Sequence, residues 1–102
     1  RLIRFLPGSE VPPEFPLLPV LAGHVRDVTG RPAIVKGAPF ACDAFVFNLY
    51  SPTPAVVLGP SGANAHAADE YVEVESLGRL TEIYARTIVE WCGVQIDEEN
   101  VR

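Results

Sequence analysis

Apolar residues recur along this chain in two rhythms that divide it into segments. Leu17, Leu18, Leu21, Val25 and Val28 share one face at the helical period, with Pro16 and Pro19 where only a first turn tolerates them. This helix is expected to end at Thr29-Gly30, because glycine takes the left-handed cap conformation cheaply. Pro32-Ala33-Ile34-Val35-Lys36, bounded by Gly30 and Gly37, reads as a strand. Residues 41–50 are apolar nearly all round except for Asp43 and Asn48, which suits a short buried helix. Ser51-Pro52-Thr53-Pro54 breaks that helix, and the fully apolar Ala55-Val56-Val57-Leu58 reads as a buried strand. Leu77, Leu80, Tyr84, Ile88 and Trp91 then form one stripe, with Arg79, Glu82, Arg86 and Glu90 turned away, which predicts a last helix ending at Gly93.

The order helix, strand, helix, strand, helix implies an α/β fold with parallel strands and right-handed crossovers. Two parallel strands bury too little to stand alone, so their edges are expected to lie against strands that this chain does not contain. Ahead of these elements, Leu2-Ile3-Arg4-Phe5-Leu6 reads as a short strand stopped by Pro7-Gly8. The proline-dense stretch that follows is expected to run extended as a linker. The chain begins with Arg1 and contains no methionine, which is expected of a piece of something longer.

At 102 residues the chain is one domain with a small core, and its 48% hydrophobic and 21% charged residues place it among folding sequences. The net charge of −5 and dispersed basic residues give no footprint for nucleic acid. No apolar run is long enough to span a bilayer and no signal-peptide pattern opens the chain, so no membrane partner is expected. Cys42 and Cys92 read as two buried, unbridged thiols, which suits a reducing, cytoplasmic setting.

Chemistry concentrates in the small-residue loop after the second expected strand, where open α/β sheets place ligands. Three readings compete there. His66 could ligate a metal, with Asp69 and Glu70 around it. Successive small residues from Gly59 onward could turn backbone N–H groups onto an anion, although the Gly-Lys-Ser/Thr ending of a phosphate loop is absent. Cys42 could act as a nucleophile with His66 and Asp43 or Asp69, but its apolar flanks disfavour a thiolate. Glu73 and Glu75 fit the start of the last helix, where carboxylates meet unpaired N–H groups. His24 reads as a partly exposed helix histidine without a second ligand at chelating spacing.

Several blocks in order carry a resemblance. Gly37-Ala38-Pro39-Phe40-Ala41-Cys42-Asp43-Ala44, Thr53-Pro54-Ala55-Val56-Val57-Leu58-Gly59-Pro60, Asn64-Ala65-His66-Ala67-Ala68-Asp69-Glu70-Tyr71-Val72 and the closing Glu90-Trp91-Cys92-Gly93 stand in sequence. Together they resemble the C-terminal part of the di-metal amidohydrolase and peptidase family that includes acetylornithine deacetylase, succinyl-diaminopimelate desuccinylase and the formylaminopyrimidine deformylases.

The resemblance implies a partial catalytic domain of a zinc-peptidase-like fold. Residues 1–10 would be the remnant of the lid domain's last strand, 11–15 a linker, 16–93 the C-terminal part of the catalytic domain and 94–102 an acidic tail. The parent enzyme would be a cytoplasmic homodimer that cleaves the amide bond of N-acylated amino acids or related small molecules. Two divalent metals, zinc by family habit, would polarise the carbonyl and lower the pKa of the attacking water. In this chain the resemblance assigns His66 as a metal ligand, Gly59, Ser61, Gly62 and Asn64 to substrate, and Asp43, Asp69 and Glu70 to the surroundings of the site. The family's His-x-Asp ligand pair, its general-base glutamate and its further ligand histidine have no counterpart here, so no catalytic residue is assigned. At most one incomplete metal site is expected, and the partner implied is the missing N-terminal half of the catalytic domain. By itself the chain is expected to be inactive. The alternative is a non-catalytic anion-binding or association module derived from the same fold.

Overall fold

Three helices and one short hairpin, in the order α1 (Leu17–Thr29), α2 (Ala44–Tyr50), β1 (Gly62–Ala63), β2 (Tyr71–Val72) and α3 (Val74–Cys92), make up the computed structural model, which describes residues 8–37 and 42–95. The expected strand at 2–6, Ala41 of the expected second helix, and most of the acidic tail lie outside the described residues. The proline-dense stretch bends rather than running extended throughout, because Phe15 N–H donates to the Pro12 carbonyl at 3.0 Å just before α1. As the periodicity implies, α1 stops at Gly30, whose φ of 73° lets its N–H reach the Arg26 carbonyl at 2.8 Å. At the other end of the chain, Gly93 closes α3 with φ 78°.

The two long helices make the core. They run antiparallel, with Phe15, ahead of α1, against Trp91 near the end of α3 at a ring-centroid distance of 6.1 Å. At the opposite end Val25 and Thr29 share a cleft with Ser76 and Ile83. Between the ends, His24 of α1 pairs with Glu90 of α3. Among the described residues Ile83 is the one buried hydrophobic side chain, and the polar Ser76 and Thr87 are buried beside it. Thr87 meets its hydrogen-bonding need locally, donating to the Ile83 carbonyl at 2.7 Å.

This corrects the expected inward stripe of the last helix. Leu77, Tyr84, Ile88 and Trp91 stay substantially exposed, and Arg79, expected to point away, is half-buried. The apolar arc of α3 is wider than one partner helix can cover, and α1 packs along the line of Ser76, Ile83 and Thr87. The apolar stripe lies about 100° further round the helix. For the same reason α2 is not the buried helix its composition implies: Phe47 and Tyr50 are exposed. Nor are both thiols buried, since Cys92 is exposed and Cys42 half-buried, although both are free.

The strands differ most from expectation. Residues 32–36 and 55–58 form no ladder, and the strand pair present is antiparallel, joining Gly62 to Val72 and Ala63 to Tyr71. A parallel pair needs a neighbouring strand on the far side of a crossover, and neither run has one among the described residues. Residues 55–58 are instead held by side chains. Asn48 accepts the Ala55 N–H at 2.7 Å and donates to the Ala55 carbonyl at 3.0 Å, while the Tyr84 hydroxyl donates to the Leu58 carbonyl.

Among the described residues, much apolar area that folding would normally remove from water is open, with Ile34, Phe47, Tyr50, Ile88 and Trp91 all exposed. No helix among the described residues is long and apolar enough to cross a membrane.

Candidate functional site at the hairpin tip

The segment that carries His66 is built as a hairpin rather than a plain connection. Its base is tied to the start of α3. The Glu73 N–H donates to the Ser61 carbonyl at 2.7 Å, the Ser61 N–H donates to Ser76 Oγ at 2.9 Å, and Ser76 Oγ donates to the Glu73 carbonyl at 2.6 Å. Ser76 is only 5% exposed, so this hydroxyl is a buried junction whose donor and acceptor capacities are both used. Beyond it the chain makes two cross-strand residue pairs and then the loop 64–70.

Gly62 is set by that closeness. A Cβ at this position would lie 2.1 Å from the Tyr71 carbonyl oxygen and 3.0 Å from Val72 Cα, both backbone atoms that cannot turn aside. Gly62→Ala is therefore expected to prise β1 from β2 at a cost of about 1–3 kcal/mol. Amide exchange would register it as lost protection of the Glu73 N–H; unchanged protection would show that the hairpin base can spread.

At the tip, Asn64, His66 and Asp69 all have left-handed backbone, with φ of 63°, 59° and 58°. Each non-glycine residue there costs roughly 1 kcal/mol, least for Asn and Asp. The Ala67 N–H donates to the Asn64 carbonyl at 3.0 Å, and Asn64 Nδ2 donates to the Asp69 carbonyl at 3.3 Å. His66 therefore sits on a shaped turn, and Asp69 and Glu70 lie on the same exposed loop.

The other residues singled out from sequence divide. Gly59 and Ser61 line a cleft of about 170 Å³ between the hairpin base and the two long helices, walled by Leu58, Val25 and Ile83. Gly62 and Asn64 are not among its lining residues. Asp43 precedes α2 in an exposed position, and its carboxylate makes no capping bond. Ser76 and Tyr84 secure the ends of this segment; the sequence marks Tyr84 only as a stripe residue of the last helix and does not mark Ser76, for which a serine three residues after Glu73 at a helix start is the available signal.

A zinc site takes three or four protein ligands, and among the described residues no three His, Cys, Asp or Glu side chains gather to hold a metal ion. The residues here do not fit a complete metal centre. They fit the supply of one imidazole. His24 is a different case: its Nε2 is engaged by Glu90, its Nδ1 is buried without a partner, and its role is to join α1 to α3.

Comparison with known families decides what this hairpin belongs to. The model of Peptidase family M20/M25/M40 matches residues 4–90, most of the chain. The chain belongs to the M20/M25/M40 peptidase family. That family consists of metal-dependent hydrolases, so the mixed helix-and-hairpin structure is an α/β portion of an M20 domain. No solved structure matches the chain. The match spans α1, the whole hairpin and α3 as far as Glu90, and so includes the turn that carries His66.

Proposed function

We propose that this chain is the C-terminal portion of a metal-dependent amidohydrolase acting on N-acylated amino acids or related small molecules, of the acetylornithine deacetylase type. The observation that carries the reading is the M20 family match over 4–90, with His66-x-x-Asp69-Glu70 on the hairpin tip within it. In this reading His66 donates one imidazole to a di-metal centre, with zinc as the metal. The remaining ligands and the general base come from the N-terminal half of the catalytic domain. Gly59, Ser61, Gly62 and Asn64 form one side of the substrate pocket.

The open surface supports a missing partner of this kind. Leu77, Tyr84, Ile88 and Trp91 make an exposed apolar stripe on α3, and the apolar run 55–58 reads as a strand meant to be covered on both faces. The free state of Cys42 and Cys92 suits a cytoplasmic enzyme. The assembled enzyme is a homodimer in this proposal.

The test compares the chain alone with the chain joined to an N-terminal catalytic half, using a panel of N-acetyl and N-succinyl amino acids. The chain alone, supplied with zinc, is expected to give no turnover. The joined protein is expected to give turnover that a chelator removes and zinc restores. Chelator-sensitive turnover by the chain alone would refute the division of the site, and turnover indifferent to chelators would refute the metallohydrolase reading.

A further inference from the structure

The loop at the hairpin tip has more shape than its sequence can supply by itself. Four of the residues around it, Ala63, Ala65, Ala67 and Ala68, are alanines, which offer no side-chain hydrogen bond. The ladder beneath consists of two residue pairs, enough to bring the ends together but not to choose one conformation for 64–70. Yet three non-glycine residues of that loop hold left-handed backbone. Such a backbone persists only when its surroundings over-determine it.

Two closures contribute to this, and both are anchored on one residue. The Asn64 carbonyl accepts the Ala67 N–H at 3.0 Å, closing the turn directly around His66. The Asn64 side chain reaches further and donates to the Asp69 carbonyl at 3.3 Å, closing the rest of the loop. Because the acceptor is a carbonyl oxygen, the amide nitrogen and not the amide oxygen must face it. His66 lies inside both closures.

We infer that Asn64 is a positioning residue for His66, its side-chain amide holding the turn from which the imidazole is presented. The inference rests on the reading of His66 as a site residue and adds to it the device that fixes its place. Residue chemistry explains the choice. Glycine would take the left-handed backbone but carries no donor, and an ionised aspartate tolerates the same backbone but can only accept. Asparagine combines left-handed tolerance with an N–H.

The experiment uses the 102-residue chain, isotope-labelled, with Asn64→Gly and Asn64→Asp beside it. Amide exchange at Ala67 and Glu73 and the ring resonances of His66 are read by NMR. Both variants keep the residue-64 carbonyl that accepts the Ala67 N–H but lose the side-chain closure onto Asp69; with that closure gone the turn is expected to open more often, quickening Ala67 exchange by about tenfold and moving the His66 ring signals toward those of an unstructured peptide. Glu73, at the hairpin base, is expected to keep its protection. Unchanged Ala67 exchange and His66 signals in Asn64→Gly would overturn the inference by showing that the turn does not need the Asn64 side chain. Equal loss of protection at Glu73 would also overturn it, because Asn64 would then support the whole hairpin. Neither readout involves metal or turnover. If His66 later proves dispensable for hydrolysis, these outcomes still decide whether Asn64 shapes the turn.

Discussion

Replacing His66 with alanine in the intact hydrolase is expected to cost at least about a hundredfold in turnover, together with loss of bound metal. In the proposed role His66 is a metal ligand, and since substitutions that only orient such a ligand already cost about 10–100-fold, its removal should cost no less. The structure dictates how the test must be controlled. His66 has φ 59°, a backbone state that alanine tolerates no better than histidine. His66→Ala could thus disturb the loop as well as remove the ring. His66→Gly separates the two, since glycine takes that backbone without strain. Both variants should lose metal and activity to a similar degree if the imidazole is what matters. Metal content and turnover retained in His66→Gly would refute the ligand assignment, and loss in alanine alone would move the effect to the backbone.

Sequence periodicity located what depends on local chemistry. The two long helices and their glycine stops could be read because a 3.6-residue period and a left-handed cap are properties of a few neighbouring residues: Leu17 to Gly30 in one case, Val74 to Gly93 in the other. The hairpin could not be read this way. Gly62-Ala63 and Tyr71-Val72 are too short for an alternating pattern to register, and what pairs them is the absence of a side chain at Gly62 and the buried hydroxyl of Ser76.

Which face of α3 packs inward was hidden for another reason. A helix apolar over most of its circumference does not say which part meets the neighbour present and which meets another. The sequence stripe of Leu77, Tyr84, Ile88 and Trp91 is real, but α1 covers the adjoining line instead. The extended run 55–58 shows the same dependence on neighbours. Its residues are strand-like, and its conformation is supplied by Asn48 and Tyr84 rather than by a sheet. At the candidate site the sequence singles out His66, whereas the hydrogen bond from Asn64 to the Asp69 carbonyl in the same loop is one that no spacing rule anticipates.

Because α1 and α3 share so thin a core, Ile83→Ala should have an effect out of proportion to one side chain. Ile83 is 4% exposed and is the one buried hydrophobic among the described residues. Truncating a buried isoleucine costs roughly 2–5 kcal/mol, with the low end applying where neighbours can close on the gap. This cleft is partly open, which argues for about 2 kcal/mol. A native domain has only about 5–15 kcal/mol in hand, and a chain with this much exposed surface belongs near the bottom of that range, so the variant should keep about 3 kcal/mol, stay folded in water and unfold at a clearly lower urea concentration. Urea titration followed by helical circular dichroism and Trp91 fluorescence checks it, because Trp91 packs at a tilt against Phe15 and reports the docking of the two helices. Ile83→Val should lose less, about 0.5–1.5 kcal/mol. Thr87→Val should be nearly neutral, since its hydroxyl serves only its own helix and the replacement keeps the shape. An unchanged midpoint for Ile83→Ala would mean that the α1–α3 contact does not hold the chain together, and that its stability comes from elsewhere.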